Sequence, residues 1–325
     1  MTRLGFNLPS DAEKFLNHLM TRGRKESTII RYQYDLADFF RYIAITLGED
    51  AVCKTSSISP DIVEGYFYIL ESNRQYQIRT LKRIQTVLKQ YISFLKTSGK
   101  MNINPMASLS LDDSIWNELQ ADELLKRGEE KKLIDGIQSD LGLSEKQKAA
   151  RPMLAPRNLV IIHWFLYHGL RLHELSSLTI GDINQGQGYL SISENTGNPR
   201  VISLSKTDQT LLYHYLQAIP AVIRPFMEHH PLFVAFDFQR QTYRWSYELD
   251  MPKHLTEIAI QKMIREERRR VGINRSISAR HFRNTFIIRS LEKGYTTEQL
   301  KEKLGLNTIL TLNKYIDYVE NISQK

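Results

Sequence analysis

Apolar residues recur at helical spacing through most of the first hundred positions. Ile29, Tyr32, Leu36, Phe39, Phe40 and Ile43 form one stripe, which predicts a helix opened by Ser27 or Thr28 and running to about Leu47. Leu81, Ile84, Leu88, Tyr91, Ile92 and Leu95 form another, over a helix from about Ile78 to Thr97. A shorter helix capped by Ser10 or Asp11 precedes them and ends near Leu19, and a further one spans Pro60 to Ser72. The segment 102–114 carries Pro105 among small polar residues and reads as a linker. The pattern therefore predicts a helical domain over 1–106, a connection over 107–117 and a second domain over 118–325.

The second domain mixes periods. Residues 118–135 are charged and helical in pattern, and 140–156, with two prolines, reads as loop. The apolar run from about 157 to 168 predicts a buried helix, too short to span a bilayer. A short helix follows from Glu174 to near Thr179. Two alternating stretches, Tyr189–Ser193 and Arg200–Leu204, flank a Gly-Asn-Pro turn and predict a β-hairpin. Helical signals return over Thr207–Leu216 and Thr256–Val271, while 232–252 fits neither period. Phe282, Phe286, Ile287 and Leu291 would bury one side of a later helix, and Leu310, Leu312, Tyr315, Ile316 and Val319 one side of a last one. The fold class expected is mainly α with a small β-hairpin or sheet, in two domains.

Charge narrows the partners. The 325 residues carry a formal net charge of +8, which favours a polyanion, most simply double-stranded DNA. In the first domain Arg79, Lys82, Arg83 and Lys89 form a basic stripe beside Arg22, Arg24, Lys25 and Arg31. In the run ending R-E-E-R-R-R, Glu266 and Glu267 partly neutralise the arginines, so a solvated face fits as well as a DNA contact. The single cysteine, Cys53, excludes an intramolecular disulfide and suits a reducing cytoplasm. The N-terminal residues lack an apolar core of signal-peptide length, so no membrane association is expected. His163, His168 and His173 are spaced by fives without a carboxylate or cysteine cluster, which argues for packing or a supporting contact and against a metal. No cofactor is implied.

The candidate chemistry lies late in the chain. Arg280 and Arg283 are three apart and share a helical face. A Gly-marked turn and then Tyr315 follow, and Arg171 stands upstream in G-L-R-L-H-E-L. Gly169, Arg171, Glu174 and Leu175 match a first box G-x-R-x-x-E-L. Phe282, Arg283, Thr285 and Phe286 match part of H-x-L-R-H-T-F, and Leu304, Gly305, Thr311 and Tyr315 match L-G-H-x-x-x-x-T-x-x-x-Y. In these three ordered boxes the chain resembles the tyrosine recombinase, or phage integrase, family. The resemblance implies a two-domain clamp on DNA: a helical core-binding (SAM-like) domain and a mixed α+β catalytic-type domain. It also implies a tyrosine nucleophile at Tyr315 and phosphate-gripping arginines at Arg171 and Arg283. Arg200 and His281 join the expected DNA contacts.

The family's proton-transfer groups are replaced. The resemblance puts a lysine general acid in the hairpin turn, but that turn is E-N-T-G-N-P-R, with Asn195 or Asn198 near the position and no lysine before Lys206. Arg280 stands where the family has histidine, with His281 one residue late, about 100° around the helix. Arginine grips phosphate but does not exchange protons near neutrality. Leu306 replaces the histidine or tryptophan of the third box, and Asn284 a further common histidine. Losing a general acid typically costs roughly 10²–10⁴-fold. The reading that follows is a sequence-specific DNA-binding protein without recombination activity, similar to the prophage master repressors that maintain lysogeny. It would act in the cytoplasm on the nucleoid, and as a monomer when free in solution. The alternative is an active recombinase or integrase that cleaves DNA through Tyr315. A third reading, a basic helical protein without a specific DNA site, is the blandest.

Overall fold

A computed structural model describes residues 7–109, 111, 118–194 and 196–323. The chain divides into two compact units, Met1–Asn117 and Glu118–Lys325. Part of the 102–114 segment read as linker, and Asn195 in the hairpin turn, lie outside the described residues.

Unit one is helical. It contains α1 (Ser10–Thr21), α2 (Glu26–Leu47), α3 (Pro60–Tyr68) and α4 (Ile78–Thr97), and α3 continues into a π-helical turn over Ile69–Asn73. Ser10 is the first residue of α1 rather than its cap; Pro9 holds the cap position in extended conformation. Pro9 fits because its fixed φ leads into a helix. Lys25, not Ser27 or Thr28, precedes α2. Ser59 accepts a hydrogen bond from the Ile62 amide and caps α3, with Pro60 at the first helical position, where a missing N–H costs nothing. The core is the set of stripes read from the sequence: Leu36, Phe39, Phe40 and Ile43 of α2 pack with Leu81, Ile84, Leu88, Tyr91 and Leu95 of α4. Phe39 meets Tyr66 edge-on and Phe40 meets Tyr91 likewise, the arrangement that aromatic quadrupoles favour.

Unit two wraps a larger core around one long helix. After α5 (Arg127–Ile137), α6 runs from Glu145 to His168. The expected loop over 140–156 is thus overturned from Glu145 onward. Ser144 and Gln147 close a reciprocal capping box, and Pro152 and Pro156 sit inside the helix. Interior prolines cost about 3 kcal/mol each. Here burial of Ala150 and Leu154 and a buried ion pair from Arg151 to Glu267 (2.6 Å) oppose that cost. Pro152 is itself exposed, as is Lys148, whose carbonyl it leaves without a helical partner.

Next come α7 (Leu172–Ser176) and a three-stranded antiparallel sheet of β1 (Ile183–Asn184), β2 (Tyr189–Ile192) and β3 (Arg200–Ser203), in the order β1-β2-β3. The hairpin stands where the alternation placed it, with Leu190 opposite Ile202. β1 is an added edge of two residues, too short to leave an alternation. α8 (Lys206–Ala218) then packs closely on α6. The ambiguous stretch 232–252 forms two small ribbons, β4 (Phe236–Asp237) with β5 (Thr242–Tyr243), and β6 (Trp245–Ser246) with β7 (Met251–Pro252). Four helices complete the unit: α9 (Glu257–Arg270), α10 (Ala279–Glu292), α11 (Thr297–Leu304) and α12 (Asn313–Ser323). On α9, Glu267 is buried, not solvated; it takes Arg151 from α6 and Arg270 from its own helix (2.7 Å). No helix among the described residues is long and apolar enough to cross a membrane.

Candidate phosphate-binding site of unit two

The site forms where two left-handed glycines let chain segments approach. Gly169 ends α6 at φ 59°, and a Cβ there would lie 2.5 Å from Phe286 of α10. Gly305 ends α11 at φ 57°, and a Cβ there would lie 2.8 Å from Nη1 of Arg200. Both positions need glycine for conformation and for space. The sharp exit from α6 delivers Arg171 at the start of α7.

Arg171 and Arg283 converge on one peptide segment. Arg171 donates to the carboxylate of Glu174 (2.6 Å), to the Leu304 carbonyl (3.2 Å) and to the Gly305 carbonyl (3.0 Å). Arg283 donates to the same Leu304 carbonyl (3.1 Å) and to that of Gly169. Burial, and then the neighbouring Arg171 charge, push the Arg283 guanidinium down to about 10, so it stays cationic at neutral pH. Glu174 is fully buried and binds two arginines. Burial raises its carboxyl, but the bonds from Arg200 and Arg171 outweigh this and bring it to about 2.

Arg200 does not stand where a DNA contact was expected. Its side chain is buried and forks onto Glu174, and its Nε donates to the Lys303 carbonyl (3.0 Å). It supports Glu174, and Glu174 in turn orients Arg171. His281 is likewise occupied: its Nδ1 accepts the Ser278 amide (3.1 Å) in a capping box. Burial, and then the charge of Arg275, push its imidazole below the ordinary value. Arg280 is half exposed, with Glu123 at 3.4 Å.

Tyr315, on α12, is buried at 7% exposure. Its hydroxyl donates to Oδ1 of Asn284 (2.8 Å), and Nδ2 of Asn284 donates to the Glu123 carbonyl (3.1 Å). Burial raises the phenol above its ordinary value, although Arg280 and Arg283 pull the other way. In the hairpin turn, Asn198 donates to the Gly305 carbonyl (2.8 Å) and to Asn307 (2.6 Å). An amide therefore occupies the turn beside the arginines.

Sequence reasoning missed the role of Asp208. Its buried carboxylate lies 3.2 Å from His163 and 3.0 Å from His168, while Ser205 donates to it at the start of α8. Burial raises this carboxyl, but the two histidines and Ser205 hold it well below the ordinary range. The S-x-x-D spacing at Ser205 and Asp208, a capping signature, was the available signal. Among the described residues no group of three or more His, Cys, Asp or Glu side chains is arranged to hold a metal.

In unit one, Arg22, Arg24 and Lys25 lie exposed between α1 and α2, and Arg31 is exposed on α2. Arg79, also exposed, and the half-buried Lys82 and Arg83 lie on α4. Arg83 is paired with the buried Asp35 of α2, so part of this basic stripe holds the bundle together.

Comparison with known proteins follows the same order of elements. The profile of the phage integrase family matches residues 143–321, and that of the phage integrase N-terminal SAM-like domain matches residues 12–99. The chain belongs to the phage integrase family. Named relatives of this family are distant: tyrosine recombinase XerC of Thermodesulfovibrio yellowstonii is 21% identical over 93% of this chain and 89% of its own. Tyrosine recombinase XerD of Listeria monocytogenes is 24% identical over 93% and 92%. Among solved structures, the Tn1549 transposon integrase in complex with transposon right end DNA superposes with a TM-score of 0.69 at 15% identity, covering 94% of each chain. The XerH recombinase bound to difH substrate gives 0.63 at 17% identity, covering 89% of this chain and 76% of that one. The fold is therefore the two-domain tyrosine recombinase fold, with unit one as the SAM-like helical domain.

Proposed function

We propose that this chain binds double-stranded DNA sequence-specifically and does not recombine it, acting as a transcriptional repressor of the prophage type. The observation that carries the reading is the fate of the reacting groups. The phosphate-gripping pair Arg171 and Arg283 is kept at one locus. The Tyr315 hydroxyl is turned into a buried bond with Asn284, and Asn198 stands in the hairpin turn bonded to Gly305. Cleavage by a tyrosine needs a proton donor for the departing oxygen. An asparagine amide in that turn and Arg280 in place of histidine supply none at neutral pH. Arginines aimed at one point still bind phosphate.

In this reading the helical domain spans 1–106 and the catalytic-type domain 118–325. Arg22, Arg24, Lys25, Arg31, Arg79 and Lys82 supply backbone contacts and base readout, since phosphates position and base edges specify. The protein works in the cytoplasm on chromosomal DNA and is monomeric when free.

A second reading, an active site-specific recombinase, is favoured by the relatives. Those named above are tyrosine recombinases aligned over 93% of this chain, and Arg171, Arg283 and Tyr315 keep their family positions. One experiment separates the two. Purified protein captures fragments of genomic DNA, and each bound fraction is boiled in SDS. A discrete motif, wholly released by SDS and equally bound by Tyr315→Phe, supports the repressor. DNA left covalently attached, and lost with Tyr315→Phe, supports the recombinase. Capture without a preferred sequence defeats both.

A further inference from the structure

The first residues of unit two form a strap across α10. Leu119 is buried in a small cluster with Ile287, Ile288, Leu304, Leu312 and Tyr315. The Leu125 amide donates to the Thr285 hydroxyl (2.7 Å). Arg275 donates to the Leu124 carbonyl (2.6 Å), and the Glu123 carboxylate faces Arg280 at 3.4 Å. The strap is thus held by side chains of α10 and of the loop before it, and it follows directly on the last residues of unit one.

Asn284 is hydrogen-bonded to both the strap and Tyr315. Its two polar atoms are both used: Oδ1 accepts from the Tyr315 hydroxyl and Nδ2 donates to the Glu123 carbonyl. It is 2% exposed, so neither partner can be exchanged for water without movement. An amide accepts at one atom and donates at another, so it can bridge two separate groups; an aspartate accepts only, and a leucine does neither.

We infer that Asn284 is a positioning residue that couples the docking of the 119–125 strap to the position of the Tyr315 hydroxyl, so that the hydroxyl becomes accessible when the strap lifts. The inference stands whether the site recombines or represses DNA, because it concerns the protein without DNA.

Its test is nitration of the full chain by tetranitromethane, read residue by residue from peptide masses. Tyr247, 83% exposed, and Tyr215, fully buried, serve as internal references. Thr285→Val removes the acceptor of the Leu125 amide and touches neither Asn284 nor Tyr315 among the hydrogen bonds described. It should raise the nitration rate of Tyr315 about fivefold, the effect of one net hydrogen bond on an opening equilibrium. Asn284→Asp keeps an acceptor for Tyr315 but loses the donor to the strap, so it should speed exchange of the Leu125 amide. Faster exchange of the Leu125 amide in Thr285→Val with Tyr315 as protected as before would overturn the coupling, as would wild-type Tyr315 reacting as fast as Tyr247. Should a variant also expose Tyr215, it has unfolded globally, and the wild-type protein then decides. Exchange at Leu125 and nitration at Tyr315 must respond to urea with the same slope, and two different slopes refute the inference.

Discussion

Arg200 closes both terminal nitrogens of its guanidinium on the two oxygens of Glu174, at 3.0 and 2.7 Å. The pair is buried, and Glu174 also holds Arg171. Replacing Glu174 by Gln leaves two arginines short of an anion in a dry site. Breaking a buried pair from one side costs about 3–5 kcal/mol. Glu174→Gln should therefore lower the urea midpoint by that equivalent, whereas Arg24→Ala, on the surface, should leave it within about 0.5 kcal/mol. Equal midpoints for the two variants would show that the pair does not stabilise the fold.

Acid should unfold the protein through the same residue. The Glu174 carboxyl sits at about 2 in the folded chain against an ordinary 4.5. A carboxyl depressed by folding contributes stability that is complete above about pH 4.5 and is lost as pH falls toward 2. The shift corresponds to a stabilisation on the order of 3 kcal/mol. Asp208 is depressed as well, from an ordinary 3.8, and adds to the loss only at the lower end of this range. Stability measured by urea titration at pH 6, 4 and 3 should fall steeply, and less steeply in Glu174→Gln. A pH-independent midpoint down to pH 3 would contradict the buried, charged state of Glu174.

Gly136 is packed to its limit. A Cβ there would lie 2.2 Å from Cγ1 of Val271, and its carbonyl receives Arg151 (2.9 Å) and Arg270. Gly136→Ala should destabilise by about 1–3 kcal/mol, the usual cost of overpacking. Val271→Ala opens the space, so the double variant should recover part of that loss in a thermal melt. Additive losses would mean that the clash is relieved elsewhere.

If the basic residues of unit one meet DNA phosphates, each should carry a share of the salt dependence. Arg24→Ala and Arg31→Ala should each reduce the slope of log K against log salt by about 0.9. Arg200→Ala should leave that slope unchanged and lower stability, because its guanidinium is spent on Glu174. Fluorescence anisotropy with one DNA fragment at several salt concentrations reads all three.

Much of the fold was legible because its helices are amphipathic. The stripe from Leu81 to Leu95 placed α4 at its observed bounds, Ile78–Thr97. α6 was half missed because Pro152 and Pro156 are local stop signals, and what overrides them, Arg151 on Glu267, is a contact between residues 116 positions apart. The same distance hid Glu267: a run of mixed charge does not reveal which carboxylate turns inward. At the site, the three boxes exposed Arg171, Arg283 and Tyr315. Arg200 was read as a DNA contact and Asn284 only as a lost histidine, since their partners, Glu174 and Tyr315, are brought to them only by the fold. A basic residue in a hairpin reads the same in sequence whether it faces solvent or an internal acid.

The carbonyls of Leu304 and Gly305 already engage part of the two arginines that would grip a phosphate. An arriving anion is therefore in competition with the protein's own backbone. Where it takes an N–H that now meets Leu304, Gly305 or Gly169 it displaces that bond, while the other N–H groups of each five-donor guanidinium are gained without that cost. Affinity at this locus is then a difference between two sets of bonds to the same donors, and selectivity falls to ligands whose charge exceeds that of a peptide dipole. On this ground a phosphodiester should gain more at Arg171 and Arg283 than a neutral ester or carbonyl compound, which only matches a bond already present.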